Sequence, residues 1–216
     1  MRKGMMFARV AAFALASCLS LSCALSAQAE GMIGMKLADA KKKDIFNFFH
    51  FKEMGRDKNS AGTLVEYGTK CMGHAAVMVV EVSGSDETIE AANLTLPRSF
   101  VEGDTVCVFA RDIAKSFLSQ AIPDSDFESY KTLIAEIEFG QNRPNKKGDT
   151  TKIIQFAGNS PPKLPDTPTP GYNTYLGNQK TFEGVFAHSK LNIINNPSKD
   201  GVLLNILVRP NHKAAK

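Results

Sequence analysis

The longest apolar run in the chain, Ala75-Ala76-Val77-Met78-Val79-Val80-Glu81-Val82, is rich in β-branched residues and almost uninterrupted. That pattern predicts the central strand of a sheet, buried on both faces or covered by a helix. Ser83-Gly84-Ser85-Asp86 is a cluster of turn formers, and Thr88 to Leu96 carries Ile89, Ala91, Leu94 and Leu96 on a pattern that can return as its partner. Pro97 ends that strand. Asp104 then offers a helix N-cap, and Val106, Phe109, Ala110, Ile113, Phe117 and Ala121 recur at three- and four-residue steps, which predicts an amphipathic helix stopped by Pro123.

The flanking segments are read in the same way. Glu30 to Gly34 is expected to be a flexible start, with a short helix from Met35 to about Lys43. Ile45 to Phe51 is the densest aromatic cluster, a plug for the core or, in the sharper reading, an exposed apolar patch. Thr63 to Tyr67 predicts a short strand. Leu133, Ala135, Ile137 and Phe139 alternate with Ile134, Glu136 and Glu138, which favours a strand with one wet face over a competing helix from Phe127 to Ile137. A strand over Lys152 to Phe156 would complete a hairpin. Pro161, Pro162, Pro165, Pro168 and Pro170 predict an extended surface crossover followed by Tyr172 and Tyr175. The chain closes with a strand over Thr181 to Asn192, in which Gly184 can mark a bulge, a turn over Asn195 to Gly201, and a second buried strand from Val202 to Val208. Together these elements predict an α+β fold, a mainly antiparallel sheet of about six or seven strands with one or two helices packed on one face.

The first residues change the picture of where the chain goes. Arg2, Lys3 and Arg9 precede an apolar stretch, and Ala27-Gln28-Ala29 is a small-x-small cleavage site, so residues 1–29 are expected to be a removed signal peptide. That leaves a single domain over 30–212 and a flexible tail over 213–216, in the periplasm or secreted. Leu15-Ala16-Ser17-Cys18 also resembles the lipobox of bacterial lipoproteins. That resemblance covers four residues and implies acylation at Cys18, the one route by which a membrane would become a partner. Cleavage after Ala29 removes Cys18 and Cys23 together, whereas acylation at Cys18 would leave Cys23 an odd thiol.

Removing the leader takes three basic residues and no acid, so 26 basic against 22 acidic residues become 23 against 22. No basic stripe remains on which nucleic acid could be a partner. No later stretch is long enough to predict a transmembrane helix.

Cys71 and Cys107 are then an even pair in an oxidising compartment, and a disulfide between them is expected. On the chain-entropy model, closing a loop of roughly 37 residues stabilises by about 4 kcal/mol. The alternative is a reactive thiol at Cys107, made more acidic by a helix N-terminus.

No phosphate-binding glycine loop and no nucleophile elbow is present, and no cofactor is expected. His188 lies in an apolar strand, where a structural role is the common one; with His74 it is the candidate base for an unrecognised envelope enzyme. Cys71-Met72-Gly73-His74 offers sulfur and imidazole, so copper or another metal at Met72 and His74 is a further alternative. The leading expectation is a non-enzymatic cell-envelope domain that binds a protein or a small ligand, with Pro165, Tyr172 and Tyr175 as the candidate surface.

Overall fold

The computed structural model describes residues 31–58, 60, 62–71, 73–102, 107–140 and 163–212. The chain divides between Glu30 and Gly31, and the unit from Gly31 onward is the one described. Its elements run α1 (Leu37–Ala40), α2 (Asp44–Phe48), β1 (Lys52–Lys58), β2 (Thr63–Cys71), β3 (His74–Ser83), β4 (Thr88–Pro97), α3 (Arg98–Glu102), α4 (Cys107–Ala121), a 3-10 turn at Asp124–Asp126, α5 (Phe127–Phe139), α6 (Pro170–Tyr175), β5 (Thr181–Val185), β6 (Ser189–Ser198) and β7 (Gly201–Pro210).

The strands form one seven-stranded sheet in the order β1-β2-β3-β4-β7-β6-β5 with every neighbour antiparallel. Two meanders, β1 to β4 and β5 to β7, are thus joined edge to edge by the β4–β7 ladder. The α+β class and the antiparallel sheet follow the reading of the sequence. The central position belongs to β4, with β3 beside it.

Strand alternation decides where the core lies. Along β3 the buried positions are Ala76, Met78, Val80 and Val82, and along β7 they are Leu204, Ile206 and Val208. The register places the buried positions of β4 and β6 on the same face, since Leu94 pairs with both Met78 and Ile206, and Ile193 pairs with Ile206. These side chains belong to one apolar cluster with Ile113, Phe117 and Leu118 of α4 and Ile134 and Ile137 of α5. Each such fully buried Leu, Ile or Phe contributes roughly 1.5–3 kcal/mol of transfer free energy.

Several expectations are corrected. Of the two arrangements expected for β3, burial on both faces is not the one observed, because Val77 and Val79 are half-exposed and only the alternate positions are buried. The segment expected to be a strand near Leu133 is helix α5, because Tyr130, Leu133, Ile134 and Ile137 fall at helical spacing on a buried stripe. The start at Gly31 is pinned, since Met32 is fully buried and its N–H donates to the Gln120 carbonyl at 2.6 Å. The strand expected over Thr181 to Asn192 is two, β5 and β6, and β6 runs through Pro197, leaving Lys199 and Asp200 between β6 and β7. The strand expected over Lys152 to Phe156 lies outside the described residues.

Both sheet edges are blunted. β1 is exposed along its whole length and carries Lys52, Glu53, Arg56, Asp57 and Lys58, while β5 has only five residues. Charge at one edge and shortness at the other oppose strand addition there.

Candidate functional site

The half-exposed positions of the sheet make its second face. Val77 and Val79 of β3 lie opposite Thr95 and Asn93 of β4, and these lie opposite Asn205 and Leu207 of β7. Asn205 and Leu207 in turn face Ile194 and Asn192 of β6. Among the described residues nothing buries these positions completely. The face is therefore mixed, with aliphatic side chains around a polar centre.

That centre is bonded within itself. The Thr95 hydroxyl donates to Asn205 Oδ1 at 2.8 Å, and Asn93 Nδ2 donates to Thr95 Oγ1 at 3.2 Å. Asn192 Oδ1 is buried and has no hydrogen-bond partner among the described residues, an unmet acceptor beside Leu207. At the β1 side, Met54 lies across Gly68, and a Cβ there would sit 2.4 Å from the Met54 sulfur. Gly68 thus lets an exposed methionine close down on the sheet.

One end of this face deepens into a cleft of about 530 Å³ lined by Glu81, Glu90, Ala91, Lys190, Arg209 and His212, with Pro210 at its side. A β-bulge builds it. Glu81 pairs with Ala91 and Val82 with Ile89, so Glu90 is the extra residue on β4. Ile89 and Ala92 are both buried, and Glu90 and Ala91 are both half-exposed, so two consecutive side chains leave the core face together. Bulges commonly re-aim side chains in this way.

A second polar group is enclosed instead of open. Asp126, only 2 % exposed, accepts the Ser189 hydroxyl at 2.6 Å and the His188 backbone N–H at 3.0 Å. Because the Ser189 proton goes to the carboxylate, the Tyr130 hydroxyl, 3.0 Å away, donates to Ser189 Oγ. Burial first, and the Asp126 charge with it, push the Tyr130 phenol well above its ordinary pKa, against the opposing effect of its hydrogen bond with Ser189. With Ser189 fully buried, this chain locks the 3-10 turn and α5 to the start of β6.

The residues named from sequence come together only in part. Tyr172 and Tyr175 are 2 % and 3 % exposed, so they are core side chains and do not present a surface. The reason is a short helix where an extended crossover was expected. Thr169 caps α6 by accepting the Tyr172 N–H at 3.3 Å, Pro170 opens it, and the fully buried Glu136 accepts the Thr169 N–H at 3.0 Å as well as its hydroxyl. The Tyr172 ring then lies against Gly140, where a Cβ would be 2.4 Å from it. Pro165 is half-exposed, and Pro161 and Pro162 lie outside the described residues.

His188 is exposed, and it is its backbone that faces Asp126. The His74 ring stacks on Phe100 with centroids 5.1 Å apart, and Met72 lies outside the described residues. Cys71 is half-buried at the end of β2 and carries a free thiol here; the side chain of Cys107 lies outside the described residues. Among the described residues no group of three or more His, Cys, Asp or Glu is placed to hold a metal, and no helix is long and apolar enough to cross a membrane. The aromatic cluster divides: Ile45, Phe46, Phe49 and Phe51 are buried and Phe48 is 72 % exposed.

Compared with models of protein families, with curated proteins and with solved structures, the chain gives no match. The open face went unnamed in the sequence because Val77 and Val79 look like core residues until the cover over them is known. The cleft depends on pairing Lys190 with Arg209 and on a bulge at Glu90, neither of which a linear pattern reveals.

Proposed function

We propose that this chain is an exported cell-envelope domain that works by binding, without catalysis, and that the open face of its sheet is the binding surface. The observation that carries the reading is the half-exposed aliphatic and amide surface on β3, β4, β7 and β6. A sheet face with Val77, Val79, Leu203, Leu207 and Ile194 left partly in water is a candidate contact surface, and its amide centre gives it direction. The blunted edges support recognition by the face over strand addition. Export is supported by the basic, apolar, small-residue order of the leader, which ends in Ala27-Gln28-Ala29. In the periplasm or outside the cell, the Cys71–Cys107 pair would be oxidised.

The test is the intact mass of the protein purified from its own host, taken under native conditions and after denaturation, beside a Leu207→Glu variant. The reading expects a chain that begins at Glu30, has the mass of the disulfide-bonded form, and carries a non-covalent partner that the variant has lost. A chain that retains Met1, or one acylated at Cys18, would overturn the localisation as stated. A partner held equally well by Leu207→Glu, or no partner on the parent protein, would overturn the binding face.

A further inference from the structure

We infer that the cleft at the end of the open face is a site for a small zwitterion of amino-acid or dipeptide size, with its carboxylate toward Arg209 and Lys190 and its ammonium toward Glu81 and Glu90. The inference deepens the binding reading above and rests on it for the choice of face. Its starting point is a row across the sheet. Glu81 of β3 pairs with Ala91 of β4, and Ala91 lies one step beyond the Ala92–Val208 pair, level with Arg209 of β7, which pairs with Lys190 of β6.

Two cations directly opposite one another on antiparallel strands repel and need a counter-charge. Neither Arg209 nor Lys190 makes an ion pair with a carboxylate among the described residues. Acids are nevertheless present on the far wall. β3 and β7 are separated by β4, so Glu81 and Arg209 stand on backbones roughly 10 Å apart, two strand spacings. Ala91 lies between them and is too short to bridge the gap. The bulge adds Glu90 to the acidic wall, where it accepts the Ser83 hydroxyl at 2.5 Å and is held in place.

Opposite charges thus line one cleft over a small floor, and among the described residues no ion pair joins them. A molecule with an ammonium at one end and a carboxylate at the other satisfies both walls at once; a simple anion or cation satisfies one and is repelled by the other. The cleft volume of about 530 Å³ lies within the range of small-molecule sites. Arg209 suits the carboxylate because its planar fork can bind both oxygens. The charged walls are partly wet, so each end contributes modestly and affinity falls as salt is raised.

The experiment is a calorimetric or NMR titration of the purified protein with L-alanine and L-alanyl-L-alanine, and with the N-acetyl and C-terminal amide derivatives of the dipeptide. The zwitterions are expected to bind, and blocking either end to weaken dipeptide binding about tenfold or more. In Arg209→Gln the preference for the dipeptide over its amide should shrink, and in Glu81→Gln the preference for the dipeptide over its N-acetyl form should shrink, with Lys190 and Glu90 left to hold the remainder. Circular dichroism and the unfolding midpoint confirm that each variant is folded. Equal binding of free and blocked forms, no binding of either zwitterion at millimolar concentration, or unchanged end-selectivity in both variants would overturn the inference.

Leu207→Glu, which lies outside the cleft lining, separates this from the wider reading. Zwitterion binding that persists there while the host partner is lost supports both. A host partner retained by Arg209→Gln and lost in Leu207→Glu, with no zwitterion binding to the parent, sinks the cleft assignment alone.

Discussion

The two faces of the sheet differ both in composition and in burial, one almost wholly apolar and buried, the other mixed and half-exposed. On one, Met78, Leu94, Ile206 and Ile193 are fully buried in one apolar cluster with residues of α4 and α5; on the other, Val77, Val79, Leu207 and Ile194 come from the same strands, one residue along, and remain partly in water. The polar groups divide in a parallel way. Asp126, Ser189 and Tyr130 are enclosed and bonded to one another, whereas Asn93, Thr95 and Asn205 bond to one another at the half-exposed face; among the described residues a buried acceptor without a partner occurs on each face, Asn195 Oδ1 on one and Asn192 Oδ1 on the other. Enclosed and satisfied polar groups serve stability, and half-exposed polar groups are within reach of a partner.

The largest effect that sharpens this contrast is a cavity on the covered face. Phe117→Ala removes a fully buried ring from α4 and should cost about 3–5 kcal/mol in urea unfolding. A loss below about 1 kcal/mol would mean that α4 is not seated on the sheet.

A smaller effect comes from the enclosed polar chain. Tyr130→Phe removes one buried hydrogen bond and should cost about 0.5–1.5 kcal/mol at neutral pH. The raised phenol pKa also fixes the sign of an alkaline effect. The unfolded tyrosine ionises near pH 10, while the folded one still holds its proton, so the unfolded state releases protons first. The stability contributed by Tyr130 is therefore complete below about pH 10 and is lost as pH rises further. Parent and variant should differ less above that pH than below it; a gap that widens with alkalinity would contradict the enclosed chain.

The smallest effect lies at the β1 edge. Glu53 sits between Arg56, at 2.6 Å, and Lys41, at 2.9 Å, and their hydrogen bonds hold its carboxyl down to about 2. Its contribution is present above the ordinary carboxylate range and is lost as pH falls towards 2. With the side chain about one third exposed, Glu53→Gln should cost under about 1 kcal/mol and steepen with lowered salt. An NMR titration of Glu53 with a midpoint near 4.5 would remove this edge network from consideration.

Much of the fold was legible because its strongest elements keep one period for their whole length. The β3–β4 hairpin, α4 and β7 were read from apolar spacing and turn residues. α5 was misread because Leu133, Ala135, Ile137 and Phe139 alternate over too short a window to separate a strand from a helix; the buried stripe at Tyr130, Leu133, Ile134 and Ile137 was the better guide. The break at Phe186, Ala187 and His188 carries none of the usual turn formers, so β5 and β6 merged in the sequence. Thr169-Pro170 is a recognisable helix start that the surrounding prolines obscured, and with it went the burial of Tyr172 and Tyr175. Neither the half-exposed face nor its cleft is legible in the linear pattern, since both depend on strand order and register.

The measurement that tests the two-face architecture most directly is urea unfolding of Ile206→Ala and Leu207→Ala side by side, adjacent residues of β7 on opposite faces. The architecture predicts a loss of about 2–5 kcal/mol for Ile206→Ala and less than about 1 kcal/mol for Leu207→Ala. Equal losses would show that the second face is covered as well, and would contradict its assignment as the surface free to bind.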